Sequence, residues 1–222
     1  MEDGKAMIKI LYEDNHLLVV LKPINMPVQR DASGDMDLLT LLKDDLKKRY
    51  QKPGNVYLGL VHRLDRPVGG IMVFAKTSKA ASRLSEQVRC HQLEKEYHAV
   101  LMGNMMPKEG TLKDYLWKNP KTNRTIVDKR GKEAVLSYKR LKMINNMSLV
   151  QIWLKTGRSH QIRVQFSSRG FPLYGDQRYN KMAKAGEQIA LFASSLSFYH
   201  PITKEKMTFT EPLPNNYPWN LF

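Results

Sequence analysis

The chain has 222 residues, 42% of them hydrophobic, so it can bury a substantial core and is too apolar to be a disordered chain. A single cysteine, Cys90, excludes an internal disulfide framework and fits a reducing compartment, and no apolar run is long enough to span a bilayer. The net charge of +15 is unevenly placed: residues 1–60 hold nine basic and nine acidic residues, whereas 61–170 hold 22 basic and 8 acidic. A field of one sign over that stretch points to a polyanion, with nucleic acid the first candidate; a membrane surface would call for a strongly amphipathic basic helix, which is absent. A merely soluble basic protein is the plain alternative.

In chain order, Met1 to Lys5 carries acid and lacks an apolar core, so it is not a secretory signal. Residues 7–11 and 16–21 read as strands around a turn at 13–15. Residues 37–50 read as a helix with Leu38, Leu42 and Leu46 on one stripe, Asp37 at its start and Lys47-Lys48-Arg49 at its end. A short strand over 56–61 precedes a loop, and 71–75 is an apolar strand. Residues 78–92 read as a second helix capped by Thr77 or Ser78, with Cys90 half-buried in it. Strands follow at 95–102, 111–117, 124–127, 133–144 and 148–156, then a helix over 159–169 closed by Gly170. A last hairpin pairs 189–199 with 206–210. Strands outnumber helices and most are joined as hairpins, which predicts an α+β fold with a largely antiparallel mixed sheet flanked by helices.

The most informative stretch is Val61-His62-Arg63-Leu64-Asp65-Arg66-Pro67-Val68-Gly69-Gly70-Ile71. Neither a helix interior nor a buried strand suits a Pro and two Gly, so Asp65 is expected on a tight loop leading into strand 71–75. The flanking guanidiniums are expected to keep its carboxylate ionised, which makes it a candidate nucleophile; a structural ion pair pinning a turn is the other reading. Residues 118–142 carry nine Lys or Arg against Asp128 and Glu133, as either a basic ribbon that lies along phosphates or a solvated hairpin. Thr156-Gly157-Arg158-Ser159-His160-Gln161-Ile162-Arg163 gathers two Arg, a His and a Gln at a strand-to-helix junction, where spare N–H groups favour anions. The six histidines show no zinc-ligand spacing, and no phosphate loop ending in Lys-Ser or Lys-Thr is present.

Together these stretches resemble the RluA-type family of RNA pseudouridine synthases. Leu21-Lys22-Pro23 resembles its first motif, and His62-Arg63-Leu64-Asp65-Arg66 its catalytic motif, with Lys76-Thr77 following. Lys95-Glu96-Tyr97 resembles its Tyr-bearing strand. The stretch from Gly157 to Arg163, then Gly170-Phe171-Pro172 and Gly175-Asp176, continue the order, and Ser197-Phe198-Tyr199-His200-Pro201 resembles its closing hairpin. Two departures stand out: Val68-Gly69-Gly70 replaces the usual Thr-Ser-Gly, removing two hydroxyls, and Asn180 stands where Gly is common. The resemblance implies a pseudouridine synthase fold with a central catalytic cleft. It also implies one catalytic domain over 1–222 with no N-terminal RNA-binding domain, since the first core strand begins near Met7.

By the same resemblance, Asp65 is the essential catalyst that converts a flipped uridine to pseudouridine in ribosomal or transfer RNA. Tyr97 stacks on the uracil, Arg163 pairs with the Asp and orients it, and Arg63 holds the flipped nucleotide or fills its gap. Arg158 and His160 contact the RNA backbone, and Ile71, Val73 and Ile162 are candidate apolar walls. His62 is expected to be a turn residue, and Tyr179 and Trp153 packing residues. No metal or cofactor is implied, and the protein is expected to be a cytoplasmic monomer with RNA as its partner. Two rivals remain at this level. One is an RNA-binding module without chemistry, in which Asp65 has no purpose because an acid weakens phosphate binding. The other is a glycosidic hydrolase, which needs a second carboxylate for which only Asp176 and Glu96 are at hand.

Overall fold

The structure, a computed structural model, describes residues 8–222; the expectations for Met1 to Lys5 and for Met7 fall outside them. In chain order the elements are β1 Lys9–Glu13, β2 Leu17–Lys22, α1 Leu38–Arg49, β3 Gly59–Leu60, β4 Gly69–Ala75, α2 Ser78–Arg89, β5 Glu94–Met102, β6 Glu109–Asn119, β7 Arg124–Val127, β8 Lys132–Ile144, β9 Met147–Leu154, α3 Gln161–Ser167, β10 Leu191–Tyr199 and β11 Lys206–Thr210. A 3-10 turn, Trp219–Leu221, ends the chain. The α+β class stands. The chain falls into two compact units, one running to Leu93 and including Leu196–Thr210, the other comprising Glu94–Ser195 and Glu211–Phe222.

In the first unit the strand order is β1-β2-β4-β10, with β3 beside β4 and β11 beside β10. The turn between β1 and β2 is an Asx turn: Asp14 Oδ1 accepts the N–H groups of His16 and Leu17, both at 2.7 Å. Its other oxygen takes His200 Nε2 at 2.8 Å, while His200 Nδ1 accepts from Ile202 and Thr203. That ring therefore carries its proton on Nε2, and one imidazole ties two turns together. Leu17, Val19, Ile71, Val73 and Ala75 of β2 and β4 pack on Ala80 and Leu84, four apart on α2, and on Leu196 and Phe198. Helix α1 buries the expected Leu38, Leu42 and Leu46 and is capped by Asp37, whose side chain accepts from Thr40 N–H. Helix α2 ends sooner than its pattern suggests, so Cys90 is its C-cap and lies exposed, with its thiol on Glu86.

One sequence rule fails in this unit. Strand β4 begins at Gly69, so both glycines lie inside a fully buried strand. The reason is close approach. A Cβ on Gly69 would stand 3.1 Å from Ile24 Cγ2 and 3.3 Å from the Lys22 carbonyl, and Gly70, paired with Lys22, has φ 134°. At Gly69 a side chain would need its neighbours to give by a few tenths of an ångström, and the φ of Gly70 is one that side chains rarely adopt. The strand expected over 56–61 shrinks to Gly59–Leu60.

In the second unit the order is β10-β5-β9-β8-β6-β7, and the β5–β9, β8–β9, β6–β8 and β6–β7 pairs are antiparallel. Tyr97, Ile152 and Tyr138 share a cross-strand row. Helix α3 has seven residues, shorter than the expected 159–169, because His160 adopts a left-handed φ of 53° and starts it late. Side-chain amides hold α3 to the sheet: Gln161 Nε2 donates to Val135 O and Gln165 Nε2 to Asp114 and Ala134 O. Phe166 meets Tyr138 edge-on at 5.6 Å.

Candidate active site

Asp65 sits half-buried at the start of a turn whose corner is Arg66-Pro67 and which closes with Val68 N–H on Asp65 O at 3.0 Å. Leu64 beside it is buried, and His62 Nε2 accepts the Val73 N–H at 3.1 Å. An imidazole nitrogen used that way is an anchor for β4, as expected of a turn residue. Of the flanking guanidiniums, Arg66 is committed to Ser33, Asp31 and Asp35, and Arg63 is exposed. The apolar walls depart from expectation: Ile71 and Val73 are core residues packed on α2.

The cation that serves this loop is Lys22, which the sequence reading noticed only as part of a motif. It is 1% exposed, and its Nζ donates to the carbonyls of Pro23 (2.9 Å), Arg66 (3.0 Å) and Val68 (2.8 Å). Three acceptors match the three N–H bonds of an ammonium. The main chain of the turn is therefore tied to the end of β2. Its signal was a lysine ending an otherwise apolar strand.

Burial pushes the Lys22 ammonium down to about 7; the Asp65 carboxylate resists the fall and Arg66 adds to it. From about 7 up to the ordinary lysine value, the unfolded chain holds a proton that the folded chain has released. Lys22 therefore makes stability rise with pH across that window. In urea unfolding, the stability of the wild type relative to Lys22→Met should increase by on the order of 3 kcal/mol between about pH 7 and about pH 9.5. A difference that stays level would mean the folded chain keeps the proton throughout.

In the second unit, Arg163 is buried and bidentate on Asp176, with Nε–Oδ2 at 2.9 Å and Nη2–Oδ1 at 2.7 Å; their side chains are 7% and 0% exposed. Asp176 follows Gly175, whose φ of 66° and lack of Cβ let the chain lie against Gln188. The guanidinium of Arg163 lies 5.2 Å from the Tyr179 ring centroid. The Tyr179 hydroxyl accepts from Thr125 N–H at 3.0 Å and meets His160 Nδ1 at 2.7 Å. Burial pushes that phenol up, so it keeps its proton and can donate it to His160. His160, Arg163 and Asp176 thus converge on Tyr179, which is more than the packing residue expected.

Arg158 lies apart from this group: its Nε donates to Glu133 O at 2.8 Å, and its N–H to Gln161 Oε1. Gln161 therefore closes the junction where anion-binding N–H groups were expected. Tyr97 is buried on β5, and Lys95, two residues earlier on the same strand face, reaches the space left open by Gly157. Burial pushes the Lys95 ammonium down. Ile162 is buried on α3, whereas Trp153 is exposed, with Nε1 on Glu96. Asn180, the second departure, braces its own turn by donating to Leu173 O and accepting from Met182 N–H. Among the described residues no His, Cys, Asp and Glu cluster could hold a metal ion, and no helix is long and apolar enough to cross a membrane.

Residues 16–168 match the RNA pseudouridylate synthase family. The chain belongs to that family. It is 34% identical over 224 residues to the ribosomal large subunit pseudouridine synthase D of Buchnera aphidicola subsp. Baizongia pistaciae, covering 94% of this chain and 70% of the relative. It is 35% identical over 215 residues to the uncharacterized RNA pseudouridine synthase YjbO of Bacillus subtilis, covering 94% and 74%. The human RNA pseudouridylate synthase domain containing 4 shares the fold, with a TM-score of 0.78 at 23% identity over 93% of this chain and 88% of that one. The synthase is thus an isomerase by family, and the pseudouridine synthase fold is the one expected.

Proposed function

We propose that this synthase isomerises uridine in ribosomal RNA, with Asp65 as the reacting carboxylate. The observation that carries the role of Asp65 is its loop, clamped through main-chain carbonyls by the buried Lys22. A reacting group carried on a loop whose main chain is fixed in this way is preorganised for chemistry. The target base leaves its stack first, since the bond to be broken is not reachable inside a helix, and that costs a few kcal/mol. Tyr97 offers an aromatic plane for the extruded uracil. Arg163, oriented by Asp176, supplies the positive charge, and Arg63, His160 and Arg158 serve the RNA chain. The reaction conserves atoms, so the reading needs no cofactor. Asp176 is bound to Arg163 and Glu96 to Trp153, which weakens the hydrolase reading because it needs a second working carboxylate.

Ribosomal RNA is favoured over transfer RNA by the likeness to the Buchnera ribosomal large subunit pseudouridine synthase, and action as a monomer in the cytoplasm belongs to the same proposal. Pseudouridine mapping of total RNA from cells with and without the gene tests it. The expected result is one or more positions lost from ribosomal RNA on deletion and restored by the wild-type gene but not by Asp65→Asn. Loss confined to transfer RNA would replace the substrate, and no loss at any position would refute the activity.

A further inference from the structure

Among the described residues, Arg49, Arg66, Arg89, Arg130, Arg163 and Arg169 form ion pairs with acids. Seven other arginines do not, and of these Arg124 and Arg178 share an open depression of about 590 Å³ lined also by Thr122 and Gln177. Both are exposed yet held in place. The Arg178 guanidinium donates to Asn123 O at 2.8 Å, and that of Arg124 lies 5.2 Å from the Tyr179 ring centroid. The acids that could neutralise them are already engaged: Asp176 by Arg163, Asp128 by Arg130, and Glu187 by the Lys184 N–H. What remains is a shallow, open surface with two fixed cations, a hydroxyl, an amide and no carboxylate in its lining. Tyr179 joins it to Arg163 within the same unit.

We infer that this depression is a subsite for the phosphate backbone of the RNA, distinct from the residues assigned to the target nucleoside. The inference rests on the functional reading above. Two fixed guanidiniums without acid partners present planar, bidentate donors matched to phosphate oxygens. The rest of the basic ribbon is partly spent internally, as Arg130 pairs with Asp128 4.3 Å from the Trp117 ring centroid. Arg124 and Arg178 thus select one place on a generally basic surface. Backbone contacts set register and affinity without reading bases, so the subsite governs how tightly RNA is held and not the rate of chemistry.

The test uses the full chain and a fluorescent RNA carrying a uridine that the wild type converts. Arg124→Gln and Arg178→Gln should each raise Kd about tenfold, and the double variant more. The double variant should also flatten the salt dependence of log Kd by about 1–2. Gln177→Glu, which places a carboxylate in the depression, should weaken binding in the same direction. Single-turnover rates at saturating RNA should stay within about twofold of wild type. Lys47→Gln with Lys48→Gln on α1 removes as much charge and should change Kd by less than about threefold, controlling for net charge alone. Equal affinity and an unchanged salt slope in the Arg double variant, beside an active wild type, overturn the subsite. A wild type that binds RNA but makes no pseudouridine refutes the activity, while the arginine variants still report on the subsite.

Discussion

Asp65→Asn should abolish turnover while leaving the fold and RNA binding in place. The substitution keeps the size of the side chain, the burial of Leu64 and the Val68 N–H to Asp65 O bond that closes the turn. Lys22 still grips the carbonyls of Arg66 and Val68. What is lost is the charged oxygen pair, and removing a reacting group of this kind costs roughly 10⁴-fold or more in rate. RNA affinity should be equal or slightly higher, because one negative charge has left a surface that meets phosphates. Measured together, single-turnover rate, Kd and urea midpoint separate the roles. Parallel loss of all three would mean that Asp65 holds the loop, and retention of more than about 1% of the rate would mean that another group reacts.

The second large effect concerns the buried pair in the other unit. Asp176→Asn should destabilise the protein by about 3–5 kcal/mol, since it removes the charge from the carboxylate bidentate on the buried Arg163 guanidinium and puts a donor where one of its two oxygens accepted. Oδ1 of Asp176 also accepts the N–H groups of Arg178 and Tyr179, so the turn that presents Tyr179 should loosen with it. Replacing both partners, Arg163→Met with Asp176→Leu, should recover part of that stability, because it removes the uncompensated buried charge but leaves the N–H groups of Arg178 and Tyr179 without their carboxylate acceptor. Turnover should stay low in the double variant. Stability and activity would then part company, as expected if the pair is retained to position a charge. Recovery of both together would reduce Arg163 to a packing element.

The sequence displayed the helices and most hairpins because their signals are local. Leu38, Leu42 and Leu46 mark one face of α1, Asp37 marks its start, and the structure agrees to within a residue. Strand β4 was misread at its start because the rule against glycine in a buried strand takes no account of a neighbouring chain pressing in, which here is the end of β2. The site shows the same division. Asp65 is legible from its loop, but the cation that secures that loop is 43 positions earlier, and three carbonyl acceptors leave no mark in sequence. The arginines beside Asp65 drew attention by adjacency, yet Arg66 serves a different segment. Asp176 and Tyr179 belong with Arg163 only once a left-handed His160 and a glycine at 175 have bent the chain toward them.

The central claim is tested most directly with RNA tritiated at C5 of uridine. Isomerisation joins the sugar to that carbon, so the wild type should release label to water from an intact strand, and Asp65→Asn should release none. Liberated uracil with an abasic sugar, or label that stays in place while RNA binds tightly, would contradict the account.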